Sequence, residues 1–525
     1  MLDFVRLKRS LKAEISMWRI AMLEEFKVST FRPTAAAKQH FEEWKQRMNS
    51  DKPGDIEDKI LISILLEQGF RWETNTSSFY EVGKLYEALE RYSPSKSKKV
   101  DMQCGHLKGA IRAAYKIMGK PTNRPKLRAL SRVSEVRGAL KMEKAAGLPT
   151  LGKKEDNFYY CLNREEQVRK FKKAANACLA QTRTQLGGKV RLVWAYPMEM
   201  TIMEARFAAP LIEAFKSFET PMAIAMSTVK LGARVWAIDE LPGSTRALDF
   251  SKFDSTVPAA LIYKAFDILG TWFSDEDKQK WGWSTVVNYF VHTPICMPNG
   301  KIYRGKKHGV PSGSYFTQLI DSVVNVIIQM YMARKLNYTL QAENFMVLGD
   351  DVIISIPTHV TTTEYAKVLF DAFGMIVHPD KTKEVAHFLG ATWKNGLPYR
   401  PMDEILQKMA YPEKSRIYAG KTYAERRLEA SYIILSYATQ YVNAVNLCKC
   451  IVKDDWQFAR RVNNIPNDLR TERLTLNMKR QKKLKMYLTG QQRFEAEYMA
   501  NPHAHTVFDT VFDQMPKTYW SRLVS

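Results

Sequence analysis

The amino-acid sequence predicts a multidomain α+β protein, and three observations carry that prediction. The chain has 525 residues, more than one hydrophobic core supports, so about two to four subdomains are expected. Hydrophobic residues make up 45% of it and aromatics 11%, enough to fill several cores. The patterning is also segregated: helical periodicity dominates both ends, while strand and hairpin signals cluster in the middle.

The N-terminal stretch MLDFVRLKRSLKAEISMW reads as an amphipathic basic helix rather than a secretory signal, because it carries Asp3 and Glu14 and no long apolar run. The first hundred residues read mostly as helix, with a polar break at Ser93-Pro94-Ser95-Lys96. Residues 130 to 180 mix helix with the loop AAGLPTLGKKED (145 to 156). LGGKVRLVWAYP (186 to 197) reads as a basic turn feeding a strand, and RALDFSKFD (246 to 254) as a strand ending in a turn. VHTPICMPNGKIYRG (291 to 305) predicts a hairpin, since Asn299-Gly300 favours a type I′ turn. SYFTQLIDSVVNVIIQMYMARKL (314 to 336) predicts one long helix, apolar enough to be buried. FMVLGDDVIISI (345 to 356) predicts a strand, a turn and a second strand. After residue 400 the chain reads as helical again, most strongly over SYIILSYATQYVNAVNLC (431 to 448), and the last 25 residues read as irregular.

A formal net charge of +24 and a pI near 9.5 point to a polyanionic partner, because Lys and Arg release counterions from phosphates. Six cysteines in so long a chain are not a disulfide framework, and Cys448 and Cys450 have no neighbouring His to make a zinc site, so a reducing compartment is expected. No run of about eighteen apolar residues predicts a membrane span.

Asp350 and Asp351 stand side by side in an apolar stretch with no Lys or Arg within it. Buried charge is costly unless paired, so either the pair caps an exposed turn or it presents oxygen to divalent cations. Turns favour Gly and Asp anyway, and Gly-Asp-Asp alone leaves both readings open. A second acidic site, Leu248-Asp249-Phe250-Ser251-Lys252-Phe253-Asp254, lies a hundred residues earlier. If Asp249 ends a strand beside the Asp350 turn, the two carboxylates could share a pair of magnesium ions, which take few protein ligands and fill the rest with water and phosphate oxygens. Between these sites, Pro311-Ser312-Gly313 makes a loop before the long helix, on which Thr317 and Asp321 share a face. Ser312 or Ser314 could equally be an ordinary helix cap. Alternation puts Lys189 and Arg191 on one face of a strand, suited to gripping a triphosphate or simply solvated. Lys381, in His378-Pro379-Asp380-Lys381-Thr382, could protonate a departing pyrophosphate or sit in an ordinary solvated turn.

The order of these elements is more specific than any one of them. As a set it resembles the motifs of viral RNA-dependent RNA polymerases: AAGLP resembles motif G, KVR motif F, DFSKFD motif A, PSGSYFTQLIDSVVN motif B, LGDD motif C, HPDKT motif D and HFLGATW motif E. SGSYFTQLIDSVVN and the short chain are most similar to the polymerases of small segmented double-stranded RNA viruses, the partitiviruses and picobirnaviruses. The resemblance covers about residues 140 to 400.

The resemblance implies a closed right hand of fingers, palm and thumb, with an antiparallel palm sheet flanked by helices and a mostly helical thumb. It implies an N-terminal helical extension bridging fingers and thumb (1–100), fingers (101–245), palm motif A (246–270), a fingers insertion (271–308), palm motifs B to E (309–395), thumb (396–500) and a C-terminal tail (501–525). The activity implied is template-directed synthesis of RNA from ribonucleoside triphosphates by two-metal-ion nucleotidyl transfer, replicating and transcribing a double-stranded RNA genome. Asp249 and Asp350 would hold Mg2+ or Mn2+ with Asp351 in support, and Lys381 would be the general acid. Lys189, Arg191, Asp254, Ser312, Gly313, Thr317, Asp321 and Asn325 would bind the nucleotide, with Asp254 facing its 2′-hydroxyl. Gly147 and Pro149, in the loop from Ala145, would guide the template. Expected partners are RNA template and product, nucleotides and a viral capsid protein. The protein would be a monomer with no membrane association, working in the virion interior and the host cytoplasm.

Two positions depart from the family pattern. Asp321 stands where many relatives in positive-strand viruses carry Asn, and Ala145 where Ser or Thr is common. Two rivals are a reverse transcriptase and a non-catalytic RNA-binding protein on a palm fold. The first would place a bulky steric gate near Asp254 and an aromatic at Gly349, and the second would have lost the acidic set. The basic run MKRQKKLKMY, with Lys479, Arg480, Lys482, Lys483 and Lys485, could line a channel or be a solvated face, and Tyr519 and Trp520 could reach the product channel or belong to a mobile tail.

Overall fold

The computed structural model describes residues 23–49, 57–73, 82–185, 189–412, 423–438, 440–444, 446–448, 450–451 and 454. The expected N-terminal helix over residues 1–18, Gly187-Gly188, the basic run at 478–487 and the tail 501–525 lie outside the described residues. The strands in chain order are β1 (Lys27–Thr30), β2 (Cys178–Gln185), β3 (Lys189–Ala195), β4 (Ser244–Leu248), β5 (Phe250–Ser251), β6 (Ile295–Cys296), β7 (Lys301–Arg304), β8 (Phe345–Leu348), β9 (Asp351–Ile356), β10 (Ile376–Val377), β11 (His387–Phe388), β12 (Ala391–Lys394) and β13 (Leu397–Tyr399).

The central sheet is antiparallel, in the order β4-β9-β8. Its sequence is apolar without a break because both faces are covered. Side chains alternate across a strand, so Val352, Ile354 and Ile356 enter the larger core, while Ile353 enters a second one with Leu231, Val235, Ile405 and Ile434. The Thr317–Lys335 helix packs on β8 from the first side, and the Thr228–Asp239 helix packs on β4 and β9 from the other. The long helix is enclosed by the Gly105–Met118, Ala259–Gly270 and Thr362–Phe373 helices, so every residue from Leu319 to Ala333 is buried. That enclosure is why its apolar positions are dense rather than striped.

A separate five-stranded sheet, β1-β7-β6-β2-β3, adds Leu179, Trp194, Ile295 and Ile302 to the larger core. Residues 27–30 depart from the helical reading of the first hundred residues. Lys-Val-Ser-Thr is a poor helix former and instead extends the sheet edge, with Lys27 opposite Arg304 and Thr30 opposite Lys301. The hairpin at 291–305 forms through β6 and β7, but its turn differs from the type I′ expectation. Gly300 has φ +75 while Asn299 is not in the left-handed region, and Gly300 N bonds Met297 O at 2.8 Å. Pro298 occupies the first central position, and its ring holds φ near −65°, which a type I′ turn cannot use. In the C-terminal region the helix runs Tyr423–Ala438, and Val442–Ala444 is a 3-10 turn, so the helix expected across 431–448 breaks.

The chain before residue 100 touches both sides of the molecule. Beside β1 in the outer sheet, the Lys59–Glu67 helix packs against the Met402–Ala410 and Tyr423–Ala438 helices. Leu61, Ile64 and Leu65 enter the second core, and Arg427 pairs with Glu67 and with Asp454. Among the described residues no helix is long and apolar enough to cross a membrane.

Candidate active site

The acidic residues meet at one end of the central sheet. β8 and β9 are joined by the two-residue turn Gly349-Asp350, with Leu348 paired to Asp351. Gly349 takes φ +69 and Asp350 does not leave the ordinary region, the sign pattern of a II′ turn with Gly in first place. β4 pairs with β9 through Leu248 and Val352, so the same register carried one residue further sets Asp249 opposite Asp351. The carboxylates feel one another. Burial raises the Asp350 carboxyl, and the Asp249 charge adds to the rise. Burial, then the Asp350 and Asp249 charges, push Asp351 up to about 6. Asp249, Asp350 and Asp351 are all exposed, while the protein packed around Asp350 and Asp351 displaces enough water to raise their carboxyls.

Arg191 is the counterweight. On β3, Leu192 and Trp194 turn inward, which leaves Arg191 on the open face, as alternation predicts. Its guanidinium opposes the rise of Asp350, Asp351 and Asp254 alike, so strand β3 presents its cation to the acidic cluster. The side chain of Lys189 lies outside the described residues. Asp254 sits on a short helix, Phe253–Thr256, where the sequence suggested only a turn. Burial and the Asp350 charge push it up to about 6. Asp321 is buried at 3% exposure, with its carboxyl raised well above the usual range by burial and then by Asp254 and Asp350. Among the described residues its Oδ1 has no hydrogen-bond partner.

The loop before the long helix is locked to its surroundings by backbone contacts. Val310 N donates to Asp254 O at 2.6 Å, and Ser312 Oγ donates to Leu192 O at 3.4 Å. A Cβ on Gly313 would lie 1.9 Å from Trp194 O, so only glycine lets the loop approach β3 this closely. Neither Ser312 nor Ser314 is the N-cap; Phe316 is. Ser314 Oγ donates to Glu204 Oε1 at 2.7 Å and Tyr315 N to Glu204 Oε2 at 2.7 Å. Thr317 Oγ1 is bonded to Pro311 O and Ser314 O at 2.8 and 2.9 Å, so it braces the loop.

Several expected contacts take other roles. Asn325 is fully buried, and its Nδ2 donates to Gly349 O at 2.9 Å, while Gly349 N donates to Ser322 Oγ at 2.9 Å. With Nδ2 on Gly349 O and Oδ1 accepting from Gln329 Nε2, Asn325 braces the acidic turn from inside the core. Gly147 and Pro149 are buried, whereas Ala145 at the start of that loop is exposed. A Cβ on Gly147 would lie 2.5 Å from Tyr196 O, so close packing rather than an open template contact accounts for this glycine. Lys381 is exposed at the end of the 3-10 turn Pro379–Lys381. That turn is pinned to the chain around Asp249 on both sides: His378 N bonds Asp249 O at 3.2 Å, and Ala247 and Lys383 exchange bonds of 2.8 and 3.1 Å.

Sequence reasoning passed over Glu204, Ser322 and Lys306. Glu204 lies in the largely apolar run MEMTIMEARFAAP with Glu199 and Arg206, where charged residues among buried apolar ones are the signal that was available. Lys306 is fully buried, with Nζ donating to Phe290 O at 2.9 Å and Gly309 O at 2.8 Å, and nothing in its local sequence distinguishes it from Lys307.

The model of the viral RNA-dependent RNA polymerase family matches residues 77–447. The RNA-directed RNA polymerase of Cryptosporidium parvum virus 1 (strain KSU-1) is 30% identical over 272 residues, 46% of this chain and 51% of that protein. That of Atkinsonella hypoxylon virus (isolate 2H) is 32% identical over 130 residues, 22% of this chain and 20% of that protein. The chain thus spans about half, or less, of the length of these curated relatives. The crystal structure of an insertion-loop deletion mutant of a human picobirnavirus RNA-dependent RNA polymerase superposes with a TM-score of 0.66 at 17% identity, covering 89% of this chain and 100% of that one. That likeness gives the right-hand polymerase fold. The family match extends over most of the chain and spans the acidic turn, the glycine-bearing loop and the long helix: the chain belongs to the viral RNA-dependent RNA polymerase family.

Proposed function

We propose that this protein synthesises RNA on an RNA template from ribonucleoside triphosphates. The observation that carries the reading is the convergence of Asp249, Asp350 and Asp351 at one sheet end under the charge of Arg191. Among the described residues no group of three or more His, Cys, Asp or Glu side chains is placed to hold a metal ion as a ready-made cage. A cage is not what magnesium needs, since it binds one or two carboxylates and takes waters and phosphates for the rest. Raised carboxyls that repel one another fit that role, because a divalent cation would relieve the repulsion. We assign Asp249 and Asp350 as ligands of Mg2+ or Mn2+, with Asp351 in support. When bound, such ions lower the pKa of the attacking 3′-hydroxyl and neutralise charge on the leaving pyrophosphate.

The remaining work falls to this chain's own groups. Arg191, with Lys189 two positions before it on the same strand, steadies the triphosphate. Asp254, held beside the loop by its carbonyl bond to Val310 N, faces the ribose 2′-hydroxyl. Ser312 and Thr317 shape the loop around the sugar, and buried Asp321 supports Asp254 from below. Lys381 delivers a proton to pyrophosphate from a turn anchored to the Asp249 backbone. The viral origin of the relatives supports copying of a viral RNA genome; we extend the proposal to replication and transcription of a double-stranded genome by a monomer inside a capsid in the host cytoplasm. The fingers, palm and thumb boundaries expected from the sequence are part of the same proposal.

Template-directed incorporation by the purified protein, with and without Mg2+ or Mn2+, tests this reading beside Asp350→Asn. Metal-dependent ribonucleotide addition that Asp350→Asn abolishes, with RNA binding retained, is expected. RNA binding without synthesis under any divalent ion would reject it.

A further inference from the structure

The acidic turn is suspended from the long helix by hydrogen bonds alone on one side. A Cβ placed on Gly349 would meet nothing within 4 Å, so on that face nothing packs against the glycine itself. Its peptide is held instead by Ser322 Oγ at its N–H and Asn325 Nδ2 at its carbonyl, both at 2.9 Å. Behind Asn325 the chain of bonds continues. Gln329 Nε2 donates to Asn325 Oδ1 at 2.9 Å, and Tyr365 Oη donates to Gln329 Oε1 at 2.7 Å. Asn325, Gln329 and Tyr365 are all fully buried.

The direction of this relay is dictated at its active-site end. A carbonyl oxygen only accepts, so Gly349 O requires the NH2 of Asn325. Asn325 then has only its oxygen to offer Gln329, which must answer with its own NH2. Gln329 is left with an oxygen that needs a donor, and the Tyr365 hydroxyl supplies it. Without that hydroxyl a buried oxygen is orphaned, both amides lose the reason for their orientation, and the peptide before Asp350 loses its anchor. Buried relays of this kind are worth more than their separate bonds. Tyr365 stands on the Thr362–Phe373 helix, which leads through Gly374 and β10 into the turn that carries Lys381. One helix thus links to the acidic turn through the relay and packs against the turn that carries Lys381.

We propose that Gln329 and Tyr365 are positioning residues for nucleotidyl transfer, holding the Gly349-Asp350 turn in register through Asn325. The inference rests on the polymerase reading and extends it to two residues that touch neither nucleotide nor metal. If the relay only fills the core, removing it lowers melting temperature and leaves turnover intact. If it positions Asp350, turnover falls in protein that is still folded.

The test is single-nucleotide addition by the full chain on a primed RNA template at saturating Mg2+, with melting curves to establish folding. Wild-type activity secures the polymerase reading first; an inactive wild type would strike that reading and this inference together. Tyr365→Phe should lower kcat about tenfold, as expected for one orphaned buried acceptor. The nucleotide KM should stay within twofold and RNA binding should be unchanged. Gln329→Leu should lower kcat by at least as much. The double variant should be no worse than Gln329→Leu alone, because Tyr365 acts only through Gln329. A folded Tyr365→Phe protein with kcat within twofold of wild type, or losses that multiply in the double variant, would overturn the proposal. Should either single variant fail to fold, the other carries the same comparison of kcat with KM.

Discussion

Replacing Gly313 with alanine puts one methyl group where the structure has no room. The new Cβ would stand 1.9 Å from Trp194 O and 2.9 Å from Trp194 C. Ordinary contact begins at about 3.4 Å, so the loop would have to retreat by roughly 1.5 Å before repulsion ended. Neither side yields easily. Trp194 is fully buried in a strand paired with β2 on its other edge, and the loop is tied to Asp254 O and Leu192 O. Overpacking of this kind costs about 1–3 kcal/mol of stability. The catalytic loss should be larger than the stability loss suggests, because Ser312 and the loop move relative to Arg191, and displacing a reacting group by about 1 Å can lower a rate on the order of a hundredfold. The assay is single-nucleotide extension of a primed template beside thermal melting. Gly138→Ala is the comparator, since it lies in the Val133–Ala139 helix with nothing within 4 Å of an added Cβ and should be neutral or slightly stabilising. Gly313→Ala activity within threefold of wild type, in protein as stable as Gly138→Ala, would refute the packing argument.

Three further outcomes are expected. Asp254→Ala should weaken discrimination against deoxyribonucleotides more than it weakens folding, read as the ratio of kcat/KM for the two nucleotide classes; an unchanged ratio would remove Asp254 from sugar selection. Burial pushes Glu204 up to about 8, only partly offset by its bonds from Ser314 and Tyr315. The folded state therefore binds a proton that the unfolded state has lost between pH 4.5 and about 8, and stability falls as pH rises through that window. Glu204→Gln removes the ionisation, so the melting temperature of wild type should drop relative to this variant from pH 5 to pH 8.5, and parallel curves would show that Glu204 does not titrate there. Chelation should abolish synthesis and Mg2+ should restore it. The rise in melting temperature on adding Mg2+ should be lost in Asp350→Asn, and an equal rise in both proteins would place the ion elsewhere.

Much of the site was legible because its signals are local. Gly349-Asp350 suits a two-residue hairpin by its own turn chemistry, and the apolar runs on either side made β8 and β9. The alternation of Arg191 with Leu192 was enough to send one outward and the other inward. The order of the motifs carried the family. What was misjudged depended on one overlooked adjacent residue and otherwise on neighbours distant in sequence. Pro298 changed a turn that Asn299-Gly300 seemed to define. Gly147 is a glycine because Tyr196 O is close behind it. Asn325 is held inside because its helix faces the underside of the Gly349 peptide.

The sequence by itself determined the secondary structure around the reaction centre and the chemistry of its acidic and basic groups, because propensity, turn preference and charge belong to residues within a few positions of one another. Only the tertiary structure decided which groups meet. The pairing of β4 with β9 brings Asp249 to Asp351 across a hundred residues, and the enclosed helix converts Ser322 and Asn325 into supports for the acidic turn. Those outcomes depend on sheet register and on how close packing excludes water, and both are properties of surfaces that exist only once the chain has closed on itself.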